Sequence, residues 1–172
     1  MVSKNITYKE ALKQDGINKK YKKMRHINKI ILHCSATCEG KHYDVNEIRR
    51  WHVEGRGWRD IGYHYVIYLD GTIHEGRPVE QSGAHTKGLN KNSIGVCYIG
   101  GVSNIKDKRG KFPAKDTRTP EQKEALDKFI NELMEKYPDA TLHGHNEFAA
   151  KACPSFDVQE VYKDIIDCYG RQ

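Results

Sequence analysis

The 172-residue chain has no apolar run approaching the ~20 residues that span a bilayer. Its N-terminus also lacks the apolar stretch of about 7–15 residues that marks a secretory signal. Synthesis in the cytoplasm without a signal peptide is therefore expected, with any action outside the cell depending on release or another export route. No second cysteine pair accompanies Cys34 and Cys38, and the full set (Cys34, Cys38, Cys97, Cys153, Cys168) is odd in number. That argues against a disulfide framework and for reduced thiols, with a Cys34–Cys38 bridge as the one alternative. There is no Ser-His-Asp arrangement, no paired-carboxylate motif and no Gly-rich phosphate loop, which sets aside serine hydrolases, ordinary glycosidases and nucleotide-binding enzymes.

What is present is the composition of a globular domain, 37% hydrophobic and 30% charged, in a length that supports one substantial core. The charge is lopsided. Residues 1–26 carry eight Lys/Arg against Glu10 and Asp15, a net +6 that equals the formal charge of the whole chain, and the remainder holds 21 residues of each sign. The expected organisation is a basic N-terminal arm over 1–26 and one domain over 27–172. Such an arm suggests attraction to an anionic polymer, whether cell-wall phosphates, a lipid surface or nucleic acid. With only Tyr8 and Tyr21 available for stacking on bases, nucleic acid is not an expected partner. The expected state is a monomer.

A short helix is expected over Tyr8–Leu12. Ile27–Leu32 is apolar and β-branched and reads as a strand delivering His33 at its end. Asp44 with Glu47 three residues on is a capping box, opening a helix whose Val45, Ile48 and Trp51 share a face and which Gly55 and Gly57 end. Tyr63–Leu69 reads as a strand turned by Asp70-Gly71 into a hairpin, and Ser93–Ile99 as a third main strand. Residues 102–118 read as a loop. Thr119-Pro120-Glu121-Gln122 starts a helix with the core stripe Leu126, Phe129, Ile130, Leu133, Met134 and Tyr137. Thr141–His143 is a short strand. Asp157 caps a last helix with Val161, Tyr162, Ile165 and Ile166 buried. Strands alternating with helices imply an α/β fold in which a sheet is covered by helices.

The densest chemistry lies between His145 and Asp157, where an imidazole, the ammonium of Lys151 and the thiol of Cys153 fall within nine residues. Imidazole and thiolate are ligands that zinc prefers, and a catalytic zinc normally has three protein ligands with a fourth position open. His33 is the candidate for the third.

Six segments, in order, resemble the type 2 N-acetylmuramoyl-L-alanine amidase family: Leu32–Thr37, Gly62–Tyr65, Asp70–Thr72, Gly83–His85, Asn92–Val96 and His145–Asp157. The family includes short phage lysozymes of the amidase kind and is related to peptidoglycan recognition proteins. The resemblance implies a central mixed β-sheet flanked by helices, with zinc in a surface groove. It implies one Zn2+ per chain, ligated by His33, His145 and Cys153. His145 is preferred over the nearby His143 and Asn146 because the family places that ligand eight residues before the last one. Tyr63 and Lys151 would act on the reacting amide. His85 and Asn92 would contact substrate, whereas His64 would face away from Tyr63 as a structural residue. The implied reaction is hydrolysis of the amide between N-acetylmuramic acid and L-alanine in peptidoglycan. Two alternatives stay open: a non-catalytic peptidoglycan-binding module, and a regulatory protein that binds a host protein through the same fold. The first class usually departs at the zinc cysteine, and Cys153 is present here.

Overall fold

The computed structural model describes residues 25–170; the expected Tyr8–Leu12 helix and nearly all of the basic arm lie outside them. Seven strands run in chain order as β1 (Lys29–Cys34), β2 (Thr37–Cys38), β3 (Tyr65–Ile67), β4 (Ile73–Glu75), β5 (Ser93–Tyr98), β6 (Gly101–Val102) and β7 (Thr141–Gly144). The helices are α1 (Val45–Arg56), α2 (Pro120–Lys136), α3 (Val158–Val161) and α4 (Lys163–Tyr169). The main sheet has the order β4-β3-β5-β1-β7, parallel except for the β3–β4 hairpin, and β2 pairs with β6 beside it. This is the mixed sheet flanked by helices that the sequence implies.

Both faces of β1 and β5 are covered, as is usual for parallel strands, so burial does not alternate along them. Residue type does. Ile30, Leu32, Cys34, Ile94, Val96, Tyr98 and Ile67 meet Leu126, Ile130, Leu133 and Met134 of α2 in one apolar cluster. Burying each such aliphatic side chain is worth about 1.5–3 kcal/mol. A smaller cluster of Val45, Ile48, Ile61, Val66 and Ile99 joins α1 to the sheet.

Local chemistry sets the helix ends. Asp44 accepts from Glu47 N while Glu47 accepts from Asp44 N, and Thr119 and Gln122 repeat the exchange at α2 behind Pro120. Gln122 does more: its buried Nε2 donates to Ile67 O and Ile99 O, tying the start of α2 to the sheet. Gly57, at φ 67°, stops α1; Gly55 remains helical inside it. Gly71, at φ 81°, turns the β3–β4 hairpin.

The described residues also correct several expectations. Tyr63 and His64 precede β3 instead of starting it. The last helix is two helices broken at Tyr162, and Val161 is exposed. At the break Tyr162 is buried, its hydroxyl accepting from Arg118 and its ring packing near Phe156. The 102–118 loop is partly ordered as an arm, with Val102 bridged to Ala114 and Ser103 N donating to Pro113 O. All five cysteines are free. Arg25 is bolted to the body, donating to Val79 O, Asn90 O, Lys91 O and Ser93 O, so the folded unit begins before Ile27. No helix of the described residues is long and apolar enough to cross a membrane.

Candidate active site and metal centre

His33 sits on β1 in register with Cys97 of β5, on the face opposite Leu32. The alternation of the strand turns it away from the apolar cluster and against the rings of Tyr63, His85 and His145, which line a groove of about 830 Å³. His145 arrives at the same floor from the end of β7, on a single 3₁₀ turn, His145–Glu147. That turn is braced by Glu147, whose carboxylate accepts from Gly144 N and pairs with His143 Nδ1, both at 2.7 Å. Cys153 is brought in by the loop before α3. Tyr98 donates to Pro154 O at 2.7 Å, Ser155 donates to Gly101 O at 2.8 Å, and the Arg118 guanidinium lies 3.5 Å over the Phe156 ring.

The outcome is one compact cluster. One ligand atom from each of His33, His145 and Cys153 lies within 4.8 Å of the others. His33 Nδ1 is 3.6 Å from Cys153 Sγ, and the His33 and His145 ring centroids are 4.6 Å apart. Burial, then the neighbouring imidazoles and Lys151, hold His33 well below the ordinary imidazole pKa. Burial and Lys151 lower His145 as well. Both rings are therefore neutral near pH 7, with lone pairs free. Cys34 N donates to Cys153 Sγ at 3.3 Å, and the two thiols influence each other. The Cys153 side chain is the largest cause drawing the Cys34 thiol down to about 7, whereas the Cys34 side chain and burial push the Cys153 thiol up.

Tyr63 lines the groove with its ring 5.2 Å from that of His33. Burial pushes its phenol well above 10, so it stays protonated. Lys151 lines the rim and its charge is felt by both His33 and His145. The structure thus brings Tyr63, Lys151 and the three candidate ligands to one place. His85 lines the same groove with its side chain mostly buried, in contact with His33 at 2.9 Å. Asn92 does not line the groove: its Nδ2 donates to His26 O at 2.7 Å, anchoring the chain just before β1. Asn90 is the groove residue of that turn, its Oδ1 accepting from His85 N and Thr86 N. His64 is buried away from the groove, accepting from Gly95 N and donating to Gln81 O.

Sequence reading missed the far wall. Trp51, His52, Arg56 and Trp58 line it, with the Arg56 guanidinium 5.1 Å from the Trp58 ring centroid. The available signal was Gly57, whose left-handed cap folds Trp58 back beside α1. The lining includes Arg56, Lys87 and Lys151 but no carboxylate, so a body neutral by count has a cationic groove.

A helix-covered mixed sheet with a His-His-Cys cluster beside a cationic groove defines an α/β protein with a candidate metal site. The N-acetylmuramoyl-L-alanine amidase family matches residues 23–156, and the chain belongs to that family. It is 45% identical over 139 residues to the endolysin of Escherichia phage T7, covering 81% of this chain and 87% of the relative. Among solved structures, the N-acetylmuramoyl-L-alanine amidase LysC from Clostridium intestinale superimposes with a TM-score of 0.66 at 28% identity, over 81% of this chain and 85% of LysC. The tracheal cytotoxin-bound complex of peptidoglycan recognition proteins LCa and LCx gives 0.64 at 27% identity, over 82% of each chain. The protein is an amidase of peptidoglycan, hydrolysing the bond between N-acetylmuramic acid and L-alanine.

Proposed function

We propose that the enzyme works with one zinc ion held by His33 Nδ1, His145 and Cys153 Sγ, and that Tyr63 and Lys151 act on the scissile amide. The observation that carries this is the convergence of the three ligand atoms within 4.8 Å at the groove floor. The fit can be checked against zinc geometry. Tetrahedral zinc with bonds of ~2.05 Å to nitrogen and ~2.3 Å to sulfur separates the two by about 3.6 Å, and His33 Nδ1 lies 3.6 Å from Cys153 Sγ. Neutral imidazoles and a softer sulfur are the donor set zinc takes. A cation there places the negative charge on Cys153, since a coordinating thiol is deprotonated outright. Zinc supplies Lewis acidity and a means of making water nucleophilic at neutral pH.

The chain's own residues do the remainder. Lys151 keeps a fixed positive charge at the rim, where the carbonyl oxygen gains charge on attack. Tyr63, protonated because it is buried, is a hydrogen-bond donor in the ground state and not a base. Arg56, Lys87 and Lys151 draw in the carboxylates of the stem peptide, and Trp51 and Trp58 offer apolar surface beside them. The basic residues before Arg25 serve retention on an anionic wall polymer, separate from the chemical step.

Elemental analysis of the full-length protein, purified without chelator, tests the metal. One zinc per chain, lost in His33→Ala together with release of stem peptides from purified peptidoglycan, is expected. A zinc-free wild type with His33→Ala still active sinks the reading.

A further inference from the structure

His33 uses its two ring nitrogens in opposite directions. Nδ1 faces the ligand cluster, 3.6 Å from Cys153 Sγ, and Nε2 lies 2.9 Å from Nδ1 of His85, fifty-two residues away. The contact does not end there. His85 Nε2 is 3.2 Å from Ser93 Oγ, and Ser93 Oγ is 2.9 Å from Leu89 O.

A backbone carbonyl can only accept, and that gives the row a direction. Leu89 O takes the Ser93 hydroxyl proton. The Ser93 oxygen is then the acceptor for His85, whose proton must be on Nε2. His85 Nδ1 is left bare and takes the proton on His33 Nε2. That leaves the lone pair of His33 on Nδ1, pointed at the cluster. Thr86 Oγ1, 3.1 Å from His85 Nδ1 and 3.4 Å from His33 Nε2, lies beside the same contact, where its oxygen can share the His33 Nε2 proton.

The His85 ring is held so that it cannot turn aside. Its side chain is buried, and it meets the His33 ring edge-on at 86°. A Cβ at Gly95 would stand 2.6 Å from His85 Cγ, and one at Gly83 2.6 Å from His85 Cδ2, so two glycines make the slot it occupies. Asn90 Oδ1 fixes its backbone by accepting from His85 N and Thr86 N at 2.8 and 2.9 Å. With both ring nitrogens engaged, His85 has no free ring nitrogen to offer a substrate.

We propose that His85 is a positioning residue: with Ser93 and the Leu89 carbonyl it fixes the tautomer and orientation of His33 for metal binding. This rests on the zinc reading of His33, His145 and Cys153. Outer partners that orient a ligating imidazole commonly affect metal affinity by about 10–100-fold when removed. Here the partner is a second imidazole in place of a carboxylate.

The test is zinc affinity of the full-length protein, measured by competition with a chromogenic chelator, alongside ¹⁵N NMR of the His33 ring. His85→Ala should bind zinc about 10–100-fold more weakly. His85→Asn, whose Oδ1 can stand near the lost Nδ1, should recover most of that loss, which a purely structural defect would not allow. Ser93→Ala removes the acceptor for His85 Nε2–H. It should weaken zinc binding in the same direction and mix the His33 tautomers in the zinc-free protein, where the wild type shows the proton on Nε2 alone. If the wild type binds zinc and His85→Ala binds it equally well, the proposal is overturned while the zinc reading stands; a raised KM in that variant would make His85 a substrate contact. If the wild type binds no zinc, both fall. Should His85→Ala fail to fold, Ser93→Ala decides, and unchanged affinity with an unchanged tautomer overturns the proposal.

Discussion

The two faces of the central sheet are made from alternate residues of the same strands. On the α2 side stand Ile30, Leu32, Ile94, Val96 and Tyr98, an apolar surface sealed by a helix. On the groove side, His33 on β1 and Ser93, Gly95 and Cys97 on β5 stand one residue along from them, with His85 and His64 packed behind. The first face contributes area. The second contributes direction, since each buried polar atom on it has a partner. Burying an imidazole costs free energy unless its hydrogen bonds are kept, so the polar face is affordable only because the apolar face stabilises the same strands.

Neighbouring residues on opposite faces give the sharpest contrast. His33→Ala should abolish turnover while the protein still unfolds cooperatively near its wild-type temperature. Leu32→Ala should do the reverse, losing roughly 2–5 kcal/mol of stability with turnover per folded molecule unchanged. Urea melts and peptidoglycan assays on the two variants would break the comparison if both lost both properties equally.

Within the groove side, metal and chemistry should separate. Lys151→Ala is expected to keep its zinc and slow turnover about 10²–10³-fold if it faces the developing oxyanion. Tyr63→Phe should likewise keep metal and fold while losing most turnover. Wild-type rates in both would mean that the rim only packs.

The faces should also part with pH. Burial lowers His52 and His64 to about 4, and holds His33 and His85 well below their ordinary value. A histidine with an unfolded pKa near 6.5 and a lower folded value contributes stability that is present above about pH 6.5 and lost as pH falls toward 4. Asp60 and Asp116, lowered by burial-opposed bonds to Arg49 and Arg118, hold until more acid pH. Metal-free protein should therefore lose stability between pH 6.5 and 4, by up to about 1.4 kcal/mol per unit for each buried imidazole. A flat profile in urea melts over that range would contradict neutral buried rings.

The smallest effect should come from the N-terminus. Removing residues 1–24 should leave cleavage of a small soluble muropeptide unchanged and slow attack on whole walls at low salt only, as the Debye length falls from ~30 Å at 0.01 M to ~8 Å at 0.15 M. Trimming to Ile27 also removes Arg25 and its backbone bonds, and should lower the melting temperature. A loss on the small substrate that ignores salt would place the arm in the fold instead.

The amino-acid sequence alone determined what depends on neighbours along the chain. The caps at Asp44 and Thr119 and the turn at Gly71 are local hydrogen-bond and φ requirements, readable wherever they occur. So is the alternation that puts His33 opposite Leu32. The six family segments carried the reaction and the three candidate ligands. Tertiary structure alone decided what depends on residues far apart. Strand order brings His33 and His85 into contact across fifty-two residues, and sets Gly95 of β5 against the His85 ring. The same folding sends Asn92 to His26 and Asn90 to the groove, and pins Arg25 to the body. It also gathers Arg56, Lys87 and Lys151 from three segments onto a wall without carboxylates. A charge count sums over the whole surface, whereas a groove selects a few side chains from it, and only the packing of the sheet and α1 makes that selection.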